Sequence, residues 1–208
     1  DYLDIEDDRK QPTKKHRPLA SGLILKKPAF LIMSFLSISG LIMMANLSIQ
    51  AFIVLLIYIS LNILYSFRLK HVAIVDITII SVGFVLRIFI GAFVTETPLS
   101  KWIVIMTFLL ALFLALAKRR DDVLHFMTTG EKMRKVIDGY NLKLIDGAMV
   151  IMSSVVIVSY LLYTTSSEVV KRFNNEYLYL TSFFVVIGIL RYMQITLVKN
   201  NSGSPTKI

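Results

Sequence analysis

Residues 101–122 read KWIVIMTFLLALFLALAKRRDD. Apart from Lys101 at its start, the stretch 101–117 carries no charge, and three cations and two acids follow at once. About 17–25 apolar residues suffice for a helix to cross the hydrocarbon core of a bilayer. An open strand could not satisfy its backbone polar groups there. The stretch therefore predicts a membrane helix that ends at a charged surface. Working outward, five more stretches read the same way: 28–46, 48–67, 72–94, 144–165 and 177–198. The composition agrees, with 55% hydrophobic and only 18% charged residues in 208. The expected fold class is all-α, a polytopic transmembrane helix bundle forming a single domain over residues 1–208. No internal repeat stands out. There is no cysteine, which excludes disulfides and thiolate metal sites.

The net charge is +9, but nucleic acid is not the expected partner. The cations collect at the ends of the spans, where they orient a membrane protein. Of the 23 Lys and Arg residues, 18 fall in 1–27, 68–71, 118–143 and 199–208, which alternate onto one side. The other side holds Lys101, Lys171 and Arg172, and the spans hold Arg87 and Arg191. The positive-inside rule makes the basic side cytosolic. An integral protein of the plasma or inner membrane follows, with the opening stretch and the 118–143 connection sharing its cytosolic face.

That opening stretch is DYLDIEDDRKQPTKKHRPLASG, residues 1–22. On a helix, Asp1, Asp4 and Asp8 fall within a sector of about 60°. Three carboxylates on one stripe repel each other unless a cation sits among them. Hard oxygen donors suit Mg²⁺, which keeps several waters and bridges to phosphate oxygens. Lys14, Lys15 and Arg17 follow, and such side chains grip phosphate. Carboxylates beside cations at a membrane surface describe a Mg²⁺-diphosphate site. The bland alternative is a solvated juxtamembrane charge run.

The stretch also resembles the first motif of the UbiA-type intramembrane prenyltransferase superfamily. That motif reads Asn-Asp-x-x-Asp-x-x-x-Asp, with a Pro-x-Lys-x-x-Arg-Pro tail. Asp1, Asp4 and Asp8 fill its acidic positions, and Pro12, Lys14, Arg17 and Pro18 fill its tail. The leading Asn would precede residue 1. The superfamily's second motif is an Asp-x-x-x-Asp for a second Mg²⁺, and here the chain departs from it. In KRRDDVLHF, His125 stands four residues beyond Asp121, and Phe126 four beyond Asp122. Lys118, Arg119 and Arg120 dominate instead.

KRRDDVLHF, together with YSFRLKHVAIVDITIISVGFVLRIFIGAF and RYMQITLVKNNSGSP, is similar to one branch of the superfamily, the decaprenyl-phosphate phosphoribosyltransferases. That branch favours Lys-Arg-x-x-Glu-Leu, with Asp122 in place of the Glu. The resemblance implies transfer of 5-phosphoribose from phosphoribosyl diphosphate to a polyprenyl phosphate lipid. It implies Mg²⁺ on Asp1, Asp4 and Asp8, a catalytic part for Asp122, and phosphate binding by Lys14, Arg17, Lys70, Lys118, Arg119 and Arg120. It also implies nine spans. The chain lacks an initiator Met and a signal-peptide pattern, so it reads as a piece of something longer, with two spans before it and one after.

Inside the spans, Asp76 lies about one turn from the cytosolic end, where it would orient a basic or metal partner such as Lys70. Tyr65 could donate to a phosphate, or anchor at the interface as tyrosines commonly do. Arg87 could line a lipid cavity or snorkel outward. Met133, Val136, Ile137 and Tyr140 recur at helical spacing, which suits a lid or a plain interfacial helix over 124–140. Two rival functions remain: a prenyltransferase acting on a polyprenyl diphosphate and another acceptor, and a non-catalytic transporter or scaffold.

Overall fold

The computed structural model describes residues 5–10, 15–130, 132 and 134–198. A short helix α1 (Ile5–Lys10) precedes α2 (Lys26–Leu47), α3 (Ile49–Phe67), α4 (Val75–Thr95), α5 (Lys101–Thr129), α6 (Leu142–Thr165), α7 (Ser167–Phe173) and α8 (Ser182–Met193). Among the described residues there is no strand. Among the described residues six segments are long and apolar enough to cross a membrane: α2 to α6, and the composite Glu176–Val198 built around α8. These match the six expected spans.

Local chemistry sets the ends. Ser48 alone separates α2 from α3, and its hydroxyl accepts the Ala51 N–H at 3.3 Å. Ser100 caps α5 and Asn141 caps α6 in the same manner. Such caps satisfy N–H groups that a helix start leaves open.

The boundary at residue 117 needs correction. α5 continues without interruption to Thr129, so residues 118–129 are helix rather than loop. Lys, Arg, Leu and Met are good helix formers, and the first strong stop is Gly130. Gly130 adopts φ 72° and donates its N–H to Phe126 at 2.9 Å, a left-handed helix ending. The extra twelve residues carry α5 about 18 Å past Ala117. Nor do residues 124–140 form one amphipathic helix. Residues 124–129 belong to α5, and a 3₁₀ turn, Lys135–Gly139, follows. Met133 lies outside the described residues.

The helices pack in sequence order, α2 on α3, α3 on α4, α4 on α5 and α5 on α6, and α8 returns to α6. Much of their apolar surface faces outward, Leu31, Phe35 and Ile42 among it, as a lipid solvent permits. The largest buried cluster gathers at the basic end. Phe113, Leu116 and Val123 of α5 meet Ile77 of α4, Ile145 and Met149 of α6, and Val136, Ile137 and Tyr140. The 134–140 segment is therefore a wedge built into the core.

Gly139 lets the wedge seat. A Cβ placed there would stand 2.5 Å from the Cβ of Ala73, inside any tolerable contact. Gly139→Ala must push the turn off the start of α4, with an expected cost of about 1–3 kcal/mol. The thermal unfolding midpoint in detergent measures it.

Candidate functional site

At the basic end, two carboxylates and two guanidiniums lock three segments together. Asp76 sits in the first turn of α4, nearer the helix start than the sequence suggests, because the helix begins only at Val75. A carboxylate there is favoured by the helix dipole. Its Oδ2 faces Arg119 Nε at 3.1 Å, and its Oδ1 accepts the Tyr140 hydroxyl at 2.6 Å. Arg119 and Tyr140 thus stand where the sequence suggested Lys70. The Arg119 guanidinium also pairs, through Nη1, with Asp122 Oδ2. Arg134 Nε approaches the same oxygen at 3.3 Å. The Arg119 and Asp76 side chains are only 2% and 1% exposed.

Tyr140 serves a second purpose. Its oxygen accepts the Ile74 N–H at 2.7 Å. Ile74 has φ 69° and ψ −44°, a strained backbone for a β-branched residue. One phenol therefore braces a strained turn and orients the acid two residues later. Burial, and then the bond to Asp76, raise the Tyr140 pKa above the usual phenol range.

The folded state therefore holds the Tyr140 proton more tightly than the unfolded state. The stabilisation is complete below the ordinary phenol pKa of about 10 and is lost as pH rises beyond it. Tyr140→Phe should cost about 1–3 kcal/mol at neutral pH, by stranding Asp76 Oδ1 and the Ile74 N–H. It should also remove part of the stability loss seen above pH 10. Melting curves of both proteins from pH 7 to 11 measure both effects.

Arg120 points elsewhere. Its Nε donates to Asp146 of α6 at 2.8 Å and its Nη1 to the Thr196 carbonyl at 2.7 Å. Thr196 lies in the π-helical turn Gln194–Val198, where the regular ladder is broken. Arg120 ties α5 to both later spans.

The opening stretch reaches this end too. Asp8 on α1 is 4% exposed and accepts from Arg17 Nη1 at 2.9 Å. Arg9 donates to the Ala20 carbonyl at 3.0 Å, which folds the stretch back on itself. Lys118 is exposed on α5, within electrostatic range of Arg17, Arg119, Arg134 and Asp122. Arg17, which holds Asp8, therefore lies near enough to Lys118 for their charges to act on each other. Lys70 and Tyr65 are half-buried at the α3–α4 connection on the same end. Asp1, Asp4 and Lys14 lie outside the described residues.

Arg87 stands apart. It is exposed on α4, with Nη2 2.7 Å from the Tyr58 hydroxyl and its guanidinium over the Tyr58 and Phe84 rings. Arg191 bonds Gln194 at 2.6 Å.

Sequence reading missed Arg134 and Asp146, and took Tyr140 only as an apolar position. Asp146 had a visible signal: a carboxylate one turn into a span, like Asp76. Arg134 had none, being one cation among many.

The donor chemistry separates the two acidic groups. Asp8 has one oxygen, Oδ2, on Arg17, and its carboxylate is of the hard-oxygen kind that Mg²⁺ takes. Asp76 and Asp122 do not fit, since guanidinium and phenol groups already hold their oxygens.

The described spans form a membrane bundle with acid and base gathered at one end, and the chain belongs to the UbiA prenyltransferase family, whose model matches residues 1–207. It is similar to the decaprenyl-phosphate phosphoribosyltransferase of Mycolicibacterium smegmatis, 32% identical over 168 residues, which are 81% of this chain and 53% of that protein. The Corynebacterium glutamicum protein of the same name is 29% identical over 194 residues, 92% of this chain and 58% of that one. The chain thus spans somewhat more than half the length of these curated relatives. Among solved structures, a UbiA homolog from Archaeoglobus fulgidus bound to DMAPP and Mg²⁺ superposes with a TM-score of 0.71. At 18% identity, over 96% of this chain and 68% of that one, the likeness is one of fold.

Proposed function

We propose that the chain belongs to a Mg²⁺-dependent membrane transferase that moves 5-phosphoribose from phosphoribosyl diphosphate to a polyprenyl phosphate. The observation that carries this reading is the Asp8–Arg17 ion pair, with Arg17 within electrostatic range of the exposed Lys118 of α5. Carboxylates and cations from two distant segments suit a substrate rich in phosphate. The basic end faces the cytosol of the plasma or inner membrane, by the charge asymmetry of the connections. The water-soluble donor enters there, and the lipid phosphate arrives between helices.

Lys14, Arg17, Lys70 and Lys118 bind the phosphates, and Tyr65 donates to one. Asp1, Asp4 and Asp8 would hold the metal, which when bound would stabilise the diphosphate as a leaving group. Arg119 and Arg120 take a different part from the one the sequence suggested. They are buried against carboxylates and a carbonyl, so they position α5 and leave phosphate contact to Lys118. Asp122 acts through Arg119 in the same way.

In the reaction, the bond from the anomeric carbon to diphosphate breaks and diphosphate leaves with its electron pair. An oxygen of the lipid phosphate bonds to that carbon. Positive charge develops on the sugar ring, and most of the rate comes from positioning and charge neutralisation. No covalent nucleophile is needed.

The test uses the full-length protein in detergent with Mg²⁺, radiolabelled phosphoribosyl diphosphate and a polyprenyl phosphate. Label extracted into the organic phase is the expected result. No transfer, with activity on a polyprenyl diphosphate and an aromatic acceptor, would move the assignment to the prenyltransferases.

A further inference from the structure

We infer that Asp76 and Asp122 hold no metal, because the buried Arg119 guanidinium already occupies the carboxylate oxygens that a bridging cation would need. This deepens the diphosphate-site reading and rests on it.

The argument starts from charge. Asp76 and Asp122 carry two negative charges, and Arg119 and Arg134 carry two positive ones. These four side chains balance in charge among themselves. Arg119 engages both carboxylates at once, through Nε and Nη1. Asp122 Oδ2 faces Arg134 as well, and Asp76 Oδ1 is taken by Tyr140. A divalent cation bridging Asp76 Oδ2 and Asp122 Oδ2 would have to displace Arg119. That side chain is 2% exposed, so it would become a buried cation without a partner. Arginine cannot escape by losing its proton, and an unpaired buried charge is strongly destabilising. A free carboxylate pair would attract Mg²⁺, but this one is already neutralised from within.

Metal dependence then lies outside the Asp76–Asp122 pair.

The experiment counts Mn²⁺ bound to the full-length protein by electron paramagnetic resonance, with inorganic diphosphate present. In Asp122→Asn the number bound per chain should be unchanged. Loss of one ion in that variant would overturn the inference. Because Asp122→Asn strands part of Arg119 and can unfold, a second variant carries the same question with the lock intact. Neutralising Asp1, Asp4 and Asp8 together, each to Asn, should abolish Mn²⁺ binding. An ion retained there and lost on adding Asp122→Asn would place a metal at the second acidic group and would also overturn the inference. Neither ribose nor lipid is used. A failure of the phosphoribosyl reading therefore shows separately, as missing labelled lipid.

Discussion

Arg119→Met should lower the stability of the folded protein by about 3–5 kcal/mol, the cost of removing one partner from a buried ion pair. The reason lies in what remains. Asp76 would keep Tyr140 but face its other oxygen into a site where its side chain is 1% exposed. Asp122 would keep only the longer contact to Arg134. The pair Asp76→Leu/Arg119→Met should recover much of the loss, because a buried ion pair replaced by apolar groups of similar volume is often neutral or better. Thermal unfolding of both variants in detergent decides the matter. Equal losses in the single and double variants would mean that Arg119 acts by packing, with its charge immaterial.

Asp8→Asn should reduce phosphoribosyl transfer to lipid by about 10²–10³-fold, the usual effect of losing one preorganised electrostatic contact at a transition state. The substitution keeps the shape and removes the charge that draws a cation and holds Arg17. Asp8 is one of three acids expected on the metal, and the described one, 4% exposed with Arg17 on its carboxylate. Initial rates at saturating Mg²⁺ measure the loss, and an unchanged melting midpoint would assign it to the site. Full activity would make the Asp8–Arg17 pair a structural tie and remove α1 from the chemistry.

Much of this was legible in the sequence. The spans were, because lipid demands long apolar runs with few charges, and the six runs match six helices. The importance of Asp76 was legible too, because an acid in a span is costly and needs a partner. Its partner was not. Lys70 is six residues away in sequence and Arg119 forty-three, and only the packing of α5 on α4 brings the second one in. Tyr140 reaches Asp76 across 64 positions. The end of α5 was missed for a different reason. The apolar run stops at Ala117, but a helix stops where its backbone meets a breaker, and Gly130 is the first strong one.

The sequence by itself determined that this protein is a membrane bundle of the UbiA type with its cations massed at one end. Those properties depend on composition along the chain, which a bilayer reads span by span. Tertiary structure alone decided which of those cations are exposed. Lys118, Arg119 and Arg120 are adjacent in sequence, yet Lys118 is exposed while Arg119 and Arg120 are 2% and 5% exposed. Successive residues turn by about 100° on a helix, so three neighbouring cations face three directions. Packing against α4, α6 and the 134–140 wedge determines which of them remains open to a substrate.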